Sequence, residues 1–273
     1  MGPEFSYFAI LMDMDRITQV AIRAAYSAGE ALKHHFGRLD RVKKKGAIDL
    51  VTAADIESEK IIVKEIRSVF PDHAILAEES GLHQGRPDHC WIIDPLDGTT
   101  NFAHNLPIFA ISIAFSHQNE TRVGIVFNPI NGELFTASTG RGAQLNHRPI
   151  EVSSSSIIEE SLLVTGFPYN LHHTISDLMQ RFQSTLYACQ GIRRLGSAAL
   201  DLCYVACGRF DGFWEENLNP WDTAAGVLIA QEAGGRVTDF EGSPYHLEGK
   251  QILATNGPIH RDMIALLKLR DME

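Results

Sequence analysis

The apolar residues of this chain change period along its length, and that change limits the fold more than any other feature. Residues 15–36 carry Ile17, Val20, Ala21, Ala24, Ala28 and Leu32 at helical spacing, and Gly37 is a fitting stop. Residues 54–69 read as a second helix closed by Phe70-Pro71-Asp72. Short apolar runs then take over. Ala74–Glu78 and Cys90–Asp94 read as buried strands, and residues 109–115, 123–127 and 133–138 as a meander with turns at Asn128-Pro129 and Asn131-Gly132. Past the polar tetrad Ser153–Ser156, strands at 161–165, 210–214, 236–239 and 251–254 alternate with helices at 175–188, 197–207 and 223–233 and a last helix from about Pro258. A strand-rich first half followed by an alternating second half predicts layers of helix and sheet.

Composition supports a globular fold. The chain has 273 residues, 44% of them hydrophobic and 21% charged, enough to bury a large core. A formal net charge of −10 argues against a broad nucleic-acid-binding face. No apolar run reaches the roughly 20 residues of a membrane span. Cys90, Cys189, Cys203 and Cys207 form no CxxC pair, so they read as free thiols of a reducing, cytoplasmic compartment. Residues 1–14 read as a tag or disordered leader, 15–152 as a first half with the main acidic site, and 153–273 as a second half that completes it. The basic stretch Val42-Lys43-Lys44-Lys45-Gly46 reads as a solvated turn.

Acids at strand ends carry the functional signal. Glu78-Glu79-Ser80 ends one strand, and Asp94-Pro95-Leu96-Asp97-Gly98-Thr99-Thr100-Asn101-Phe102 ends the next. A carboxylate emerging from an apolar strand is costly to desolvate, and Pro95 interrupts ladder pairing at that point. Gly98 permits close backbone approach, and Thr99-Thr100 can open a helix with free amides. Clustered carboxylates hold hard divalent cations, and free amides hold phosphate oxygens. An Asp-rich turn with local capping accounts equally for the D-x-x-D-G-T spacing alone. Asp222, at a helix start after Trp221, and Asp55 each read singly as helix caps.

Taken together, four blocks resemble the inositol monophosphatase family of magnesium-dependent, lithium-sensitive phosphatases. They are Asp49–Asp55, Glu78-Glu79-Ser80-Gly81, Trp91–Phe102, and Trp221–Gly226 leading to Glu232–Gly235. The resemblance covers nearly the whole chain from Asp15. Gly166-Phe167-Pro168 and Leu195–Leu202 look like its bacterial branch.

The resemblance implies an αβαβα layered sandwich and a homodimer. It implies two or three Mg2+ per site, with Li+ as an inhibitor. Glu78, Asp94 and the Leu96 carbonyl would hold the first ion, and Asp94, Asp97 and Asp222 the second. Glu78 would help a third through water. The amides of Gly98 and Thr99 would bind phosphate, and Asp55 with Thr99 would orient and deprotonate the attacking water. Glu215 would accept substrate hydroxyls, with Asp97 and the backbone near Ala198 assisting.

The expected activity is hydrolysis of inositol monophosphate by metal-activated water, with no phosphoenzyme. Alternatives within the superfamily are phosphatases of fructose 1,6-bisphosphate, histidinol phosphate or 3′-phosphoadenosine nucleotide. Outside it stands a regulatory binding protein that keeps the site. Aspartyl-nucleophile phosphatases use D-x-D, not the D-x-x-D found here. Gly140-Arg141-Gly142 reads as a hairpin turn rather than a dinucleotide fingerprint. Arg193 and Arg194 read first as salt-bridge partners and second as anchors for an extra phosphate.

Overall fold

A computed structural model describes residues 3–38, 42–44, 50–168 and 175–269, with backbone only at 3–12, 42–44 and 50–52. The chain opens with α1 (Pro3–His35), the antiparallel pair β1 (Val42–Lys44) and β2 (Leu50–Thr52), and α2 (Ala53–Val69). Val42–Lys44 are therefore strand rather than turn, while Lys45 and Gly46 lie outside the described residues. Helix α1 starts earlier than the apolar period predicts, but its first buried described side chain is Ile17.

Next come β3 (His73–Ala77), β4 (Gly81–His83), β5 (Arg86–Asp97), α3 (Thr99–Ala103), β6 (Ala110–His117), β7 (Glu120–Asn128), β8 (Glu133–Ser138), β9 (Ala143–Leu145) and β10 (Arg148–Ile150). These strands form one eight-stranded sheet, ordered β10-β9-β8-β7-β6-β5-β3-β4, in which only β3 and β5 run parallel.

The remainder comprises β11 (Leu162–Thr165), α4 (Ile175–Ala188), β12 (Gly191–Arg193), α5 (Ala198–Ala206), β13 (Gly212–Glu216), α6 (Pro220–Glu232), β14 (Arg236–Thr238), β15 (Gln251–Thr255) and α7 (His260–Leu267). Its five strands form a second sheet, ordered β12-β11-β13-β15-β14.

Strand alternation sorts the core into layers. On β5, Trp91 and Ile93 pack with Ala21, Ala24, Ala28 and Leu32 of α1 and Ile62 and Ile66 of α2. Ile92, between them, faces the other way toward Leu200 of α5 and Ala225 and Ile229 of α6. The far side of α5 and α6 meets Val164, Phe213 and Ala254 of the second sheet. Leu163, Trp214 and Leu253 point to that sheet's outer face, against Met263 and Leu267 of α7 and Phe182 of α4. The order is helix, sheet, helix, sheet, helix, as the resemblance implies. Helix α6 is buried along Thr223–Ala230, which fits a helix enclosed between two sheets.

Candidate active site

The two sheets and α5 and α6 converge at the C-terminal end of β5. Pro95 has no N–H to give to the ladder, and the β5–β6 register shifts between Asp94 and Asp97. The break turns Asp94-Pro95-Leu96-Asp97 out of the sheet. Asp94 is 2% exposed, and its Oδ1 accepts from the Leu96 amide at 2.9 Å. Ser58 Oγ donates to the Pro95 carbonyl at 2.8 Å and pins the same turn to α2. Gly98 follows at φ 92°, in the left-handed region, and α3 begins at the next residue.

One cleft gathers Glu78 from the end of β3, Asp94, Leu96 and Asp97 from β5, Gly98 and Thr99 from the following turn, Ala198 from α5, Glu215 from β13 and Asp222 from α6. Asp55, fully buried in the first turn of α2, joins them through Thr99, whose Oγ1 lies 3.1 Å from Asp55 Oδ1. The same hydroxyl is 3.1 Å from the Leu96 carbonyl, so its single proton serves one acceptor at a time. All ten residues singled out from sequence thus belong to one neighbourhood.

Asp97 reaches into the second half of the chain. Its Oδ2 accepts from Ser197 Oγ at 2.6 Å and from the Ala199 amide at 2.8 Å. Asp222 stands in the first turn of α6 and accepts from the Asn219 amide at 2.7 Å; Asn219 is the cap, and Asp222 is its capping-box partner rather than the cap expected from sequence. Glu215 lies over Gly166, where an added Cβ would stand 2.1 Å from Glu215 Oε2. Only glycine leaves room for that carboxyl group.

The acids raise one another's proton affinity. Burial holds Asp94 well above the ordinary aspartate range, helped by the charges of Glu78, Asp97 and Asp222. Burial brings Asp97 to about 6, opposed by its hydrogen bonds from Ser197 and Ala199 and helped by Glu78. Glu215 rises to about 8 through burial and then Asp222 and Asp97, with Arg194 opposing. Asp222 also rises to about 8, through burial and then Asp97. Carboxyl groups with a main-chain carbonyl form an all-oxygen donor set, which suits a hard divalent cation that would relieve this repulsion.

Several contributors carry no strong signal in sequence. Glu59, 6% exposed, accepts from the Glu79 amide at 2.9 Å and fixes the turn after Glu78. Asn101 Nδ2 donates to the carbonyls of Ile108 and Leu195 at 2.7 and 2.8 Å, tying the α3 turn to the approach of α5. Ser197 was legible as the first residue of a helix and as part of Leu195–Leu202, with no role in the site; it caps α5 and also holds Asp97. The expected salt bridges of Arg193 and Arg194 do not form among the described residues. Arg193 is exposed and donates to the Ile192 carbonyl. Arg194 lines the cleft with its guanidinium over Phe167, 5.9 Å from the ring centre.

Comparison with known proteins identifies the family. The sequence model described as "Inositol monophosphatase family" matches residues 13–270. A protein of Synechocystis named inositol-1-monophosphatase is 48% identical over 92% of this chain and 88% of its own length. A Pseudomonas aeruginosa protein named Nus factor SuhB is 44% identical over 93% of this chain and 97% of its own. Among solved structures, an inositol monophosphatase from Anabaena superimposes with TM-score 0.85 at 43% identity, covering 93% of this chain and 96% of that one. The extragenic suppressor protein suhB of Bartonella henselae superimposes with TM-score 0.90 at 42% identity, covering 93% and 98%.

Proposed function

The chain belongs to the inositol monophosphatase family and is a phosphoric monoester hydrolase, and we propose that it converts inositol monophosphate to inositol and phosphate by direct attack of water. The observation that carries this reading is the meeting of four acids from β3, β5 and α6 beside the Asp55–Thr99 contact. Glu78, Asp94, Asp97, Asp222 and the Leu96 carbonyl would hold two or three Mg2+. Magnesium, when bound, neutralises phosphate charge and lowers the pKa of water.

The chain's own groups do the rest. The amides of Gly98 and Thr99 hold phosphate oxygens. Thr99 Oγ1, backed by Asp55, orients the attacking water and passes its proton toward the carboxylate. Glu215 takes the substrate's ring hydroxyls, with Asp97 and the Ala198 backbone assisting. A loose phosphoryl transition state needs little more than such positioning and charge. Four free cysteines support a reducing cytoplasm as the place of action.

Phosphate release is to be measured from inositol 1-phosphate, fructose 1,6-bisphosphate, histidinol phosphate and 3′-phosphoadenosine 5′-phosphate, each with magnesium and with chelator. Inositol phosphate is expected to turn over fastest and only with magnesium. Millimolar lithium is expected to inhibit. Glu78→Gln is expected to lower kcat by about 100-fold or more, on the scale of losing one key electrostatic group. Unchanged turnover in Glu78→Gln would sink the assignment.

A second reading rests on Arg194, a cation in the cleft without an ion pair among the described residues. It would favour a substrate with an additional phosphate, and a bisphosphate preference lost in Arg194→Met would identify it. The name Nus factor on close relatives keeps a regulatory role in view. That role would survive Glu78→Gln, whereas the enzymatic one would not.

A further inference from the structure

At the other end of β5 lies a second cluster of ligating side chains. His89 and His117 are direct cross-strand partners on β5 and β6, so their side chains emerge on the same face. Their ring centres are 4.7 Å apart. Asp88 joins them, and one ligand atom from each of the three lies within 4.8 Å of the others. We propose that Asp88, His89 and His117 form a mononuclear site for a borderline divalent transition cation of the zinc class.

The atoms are placed for it. His89 Nδ1 is buried and lies 3.0 Å from Asp88 Oδ1. The contact sets a ring nitrogen and a carboxylate oxygen side by side, at a separation that two ligands of one ion can share. Neighbouring ligands on one zinc ion stand about 3 to 3.4 Å apart, given bonds of about 2.0–2.1 Å; the Asp88–His89 contact meets that spacing, and the His117 nitrogen, within 4.8 Å, would close on the ion by side-chain rotation. Arg86 reaches the second carboxylate oxygen, Oδ2, at 3.3 Å and leaves Oδ1 to the cluster. The His89 side chain is 13% exposed and that of Asp88 44%, so the site has a closed floor and an open mouth.

The imidazole behind the cluster carries no charge to repel a cation, and the Arg86 guanidinium at its edge is paired with Asp88. His73, with its ring centre 4.9 Å from that of His89, accepts at Nδ1 from Trp91 Nε1 at 3.1 Å. Burial and then His89 hold His73 neutral down to about pH 4.

Two imidazoles and one carboxylate select zinc, cobalt or nickel over magnesium, which takes oxygen ligands. Five residues of strand, about 16 Å, separate His89 from Asp94, so the two sites would take different ions without sharing a ligand.

The test is equilibrium dialysis of the chelator-treated full chain against Zn2+ at pH 7.5. Wild type and Asp94→Asn are each expected to hold a zinc ion that His117→Gln and Asp88→Asn bind at least tenfold more weakly. His117→Gln should keep wild-type magnesium-dependent phosphatase activity in zinc-free buffer, which shows that it folds. Equal zinc affinity in His117→Gln, Asp88→Asn and wild type would overturn the proposal. So would zinc that is lost in Asp94→Asn but kept in the other two, since the ion would then sit among the catalytic acids.

Discussion

Asp201 illustrates how much a single buried group sets locally. It lies on α5, 1% exposed, and neither carboxyl oxygen has a hydrogen bond among the described residues. Burial, then the charges of Glu215 and Asp97, hold its pKa well above the aspartate range, with Arg194 opposing. The folded chain therefore keeps a proton on Asp201 that the unfolded chain gives up near pH 4. The stability this contributes is complete in acid and is lost as pH rises toward the folded pKa. Asp201→Asn cannot titrate. Its melting temperature relative to wild type is expected to rise between pH 5 and pH 8, the stability difference growing by up to about 1.4 kcal/mol per pH unit, the linkage of one proton. Thermal unfolding at several pH values checks this, and parallel curves for the two proteins would refute it. Asp201 was legible in sequence only as part of Leu195–Leu202; its lack of partners is a property of the packed structure.

At the scale of elements, the turn after β5 joins local and distant requirements. Gly98 sits at φ 92°, and an added Cβ would meet the Ile108 carbonyl oxygen at 3.0 Å and that of Gly196 at 3.2 Å. Gly98→Ala is expected to cost at least about 1–2 kcal/mol from the left-handed backbone alone. It should also lower kcat, because relief of the clash moves the Thr99 amide; a urea titration and an initial-rate assay check both. The helices, the main strands and the Asp94–Asp97 break were readable because periodicity and Pro95 are local signals. Contacts between distant segments were not. Ser197 and Asp97 are 100 residues apart, and Gly166 under Glu215 is a matter of strand register. The zinc-class cluster escaped for a related reason. The apolar runs that mark β5 and β6 start at Cys90 and end at Phe115, whereas the ladder extends to pair His89 with His117. Gly140-Arg141-Gly142 is the β8–β9 turn, and its three amides hold the Glu232 carboxylate at 2.8–3.1 Å, fixing the end of α6.

For the whole molecule, α5 and α6 are the shared layer, packed on both sheets, so the catalytic cleft depends on the assembly of all five layers. The homodimer implied by family resemblance is a proposal at this scale. Light scattering is expected to give twice the 30.3 kDa of one chain, and a mass of 30.3 kDa at assay concentration would reject it. The hold of Asp97 on the first turn of α5, and the place of Asp222 on α6, also have a consequence in time. Asp222 follows Asp97 by 125 residues, and a ribosome adding about 5–20 residues per second needs roughly 6–25 seconds to travel between them. Throughout that interval the nascent chain carries its first acids without their last partner. Where Asp222 serves as proposed, no phosphate ester is hydrolysed before α6 has been made, so every molecule that turns over substrate has already been translated as far as that helix.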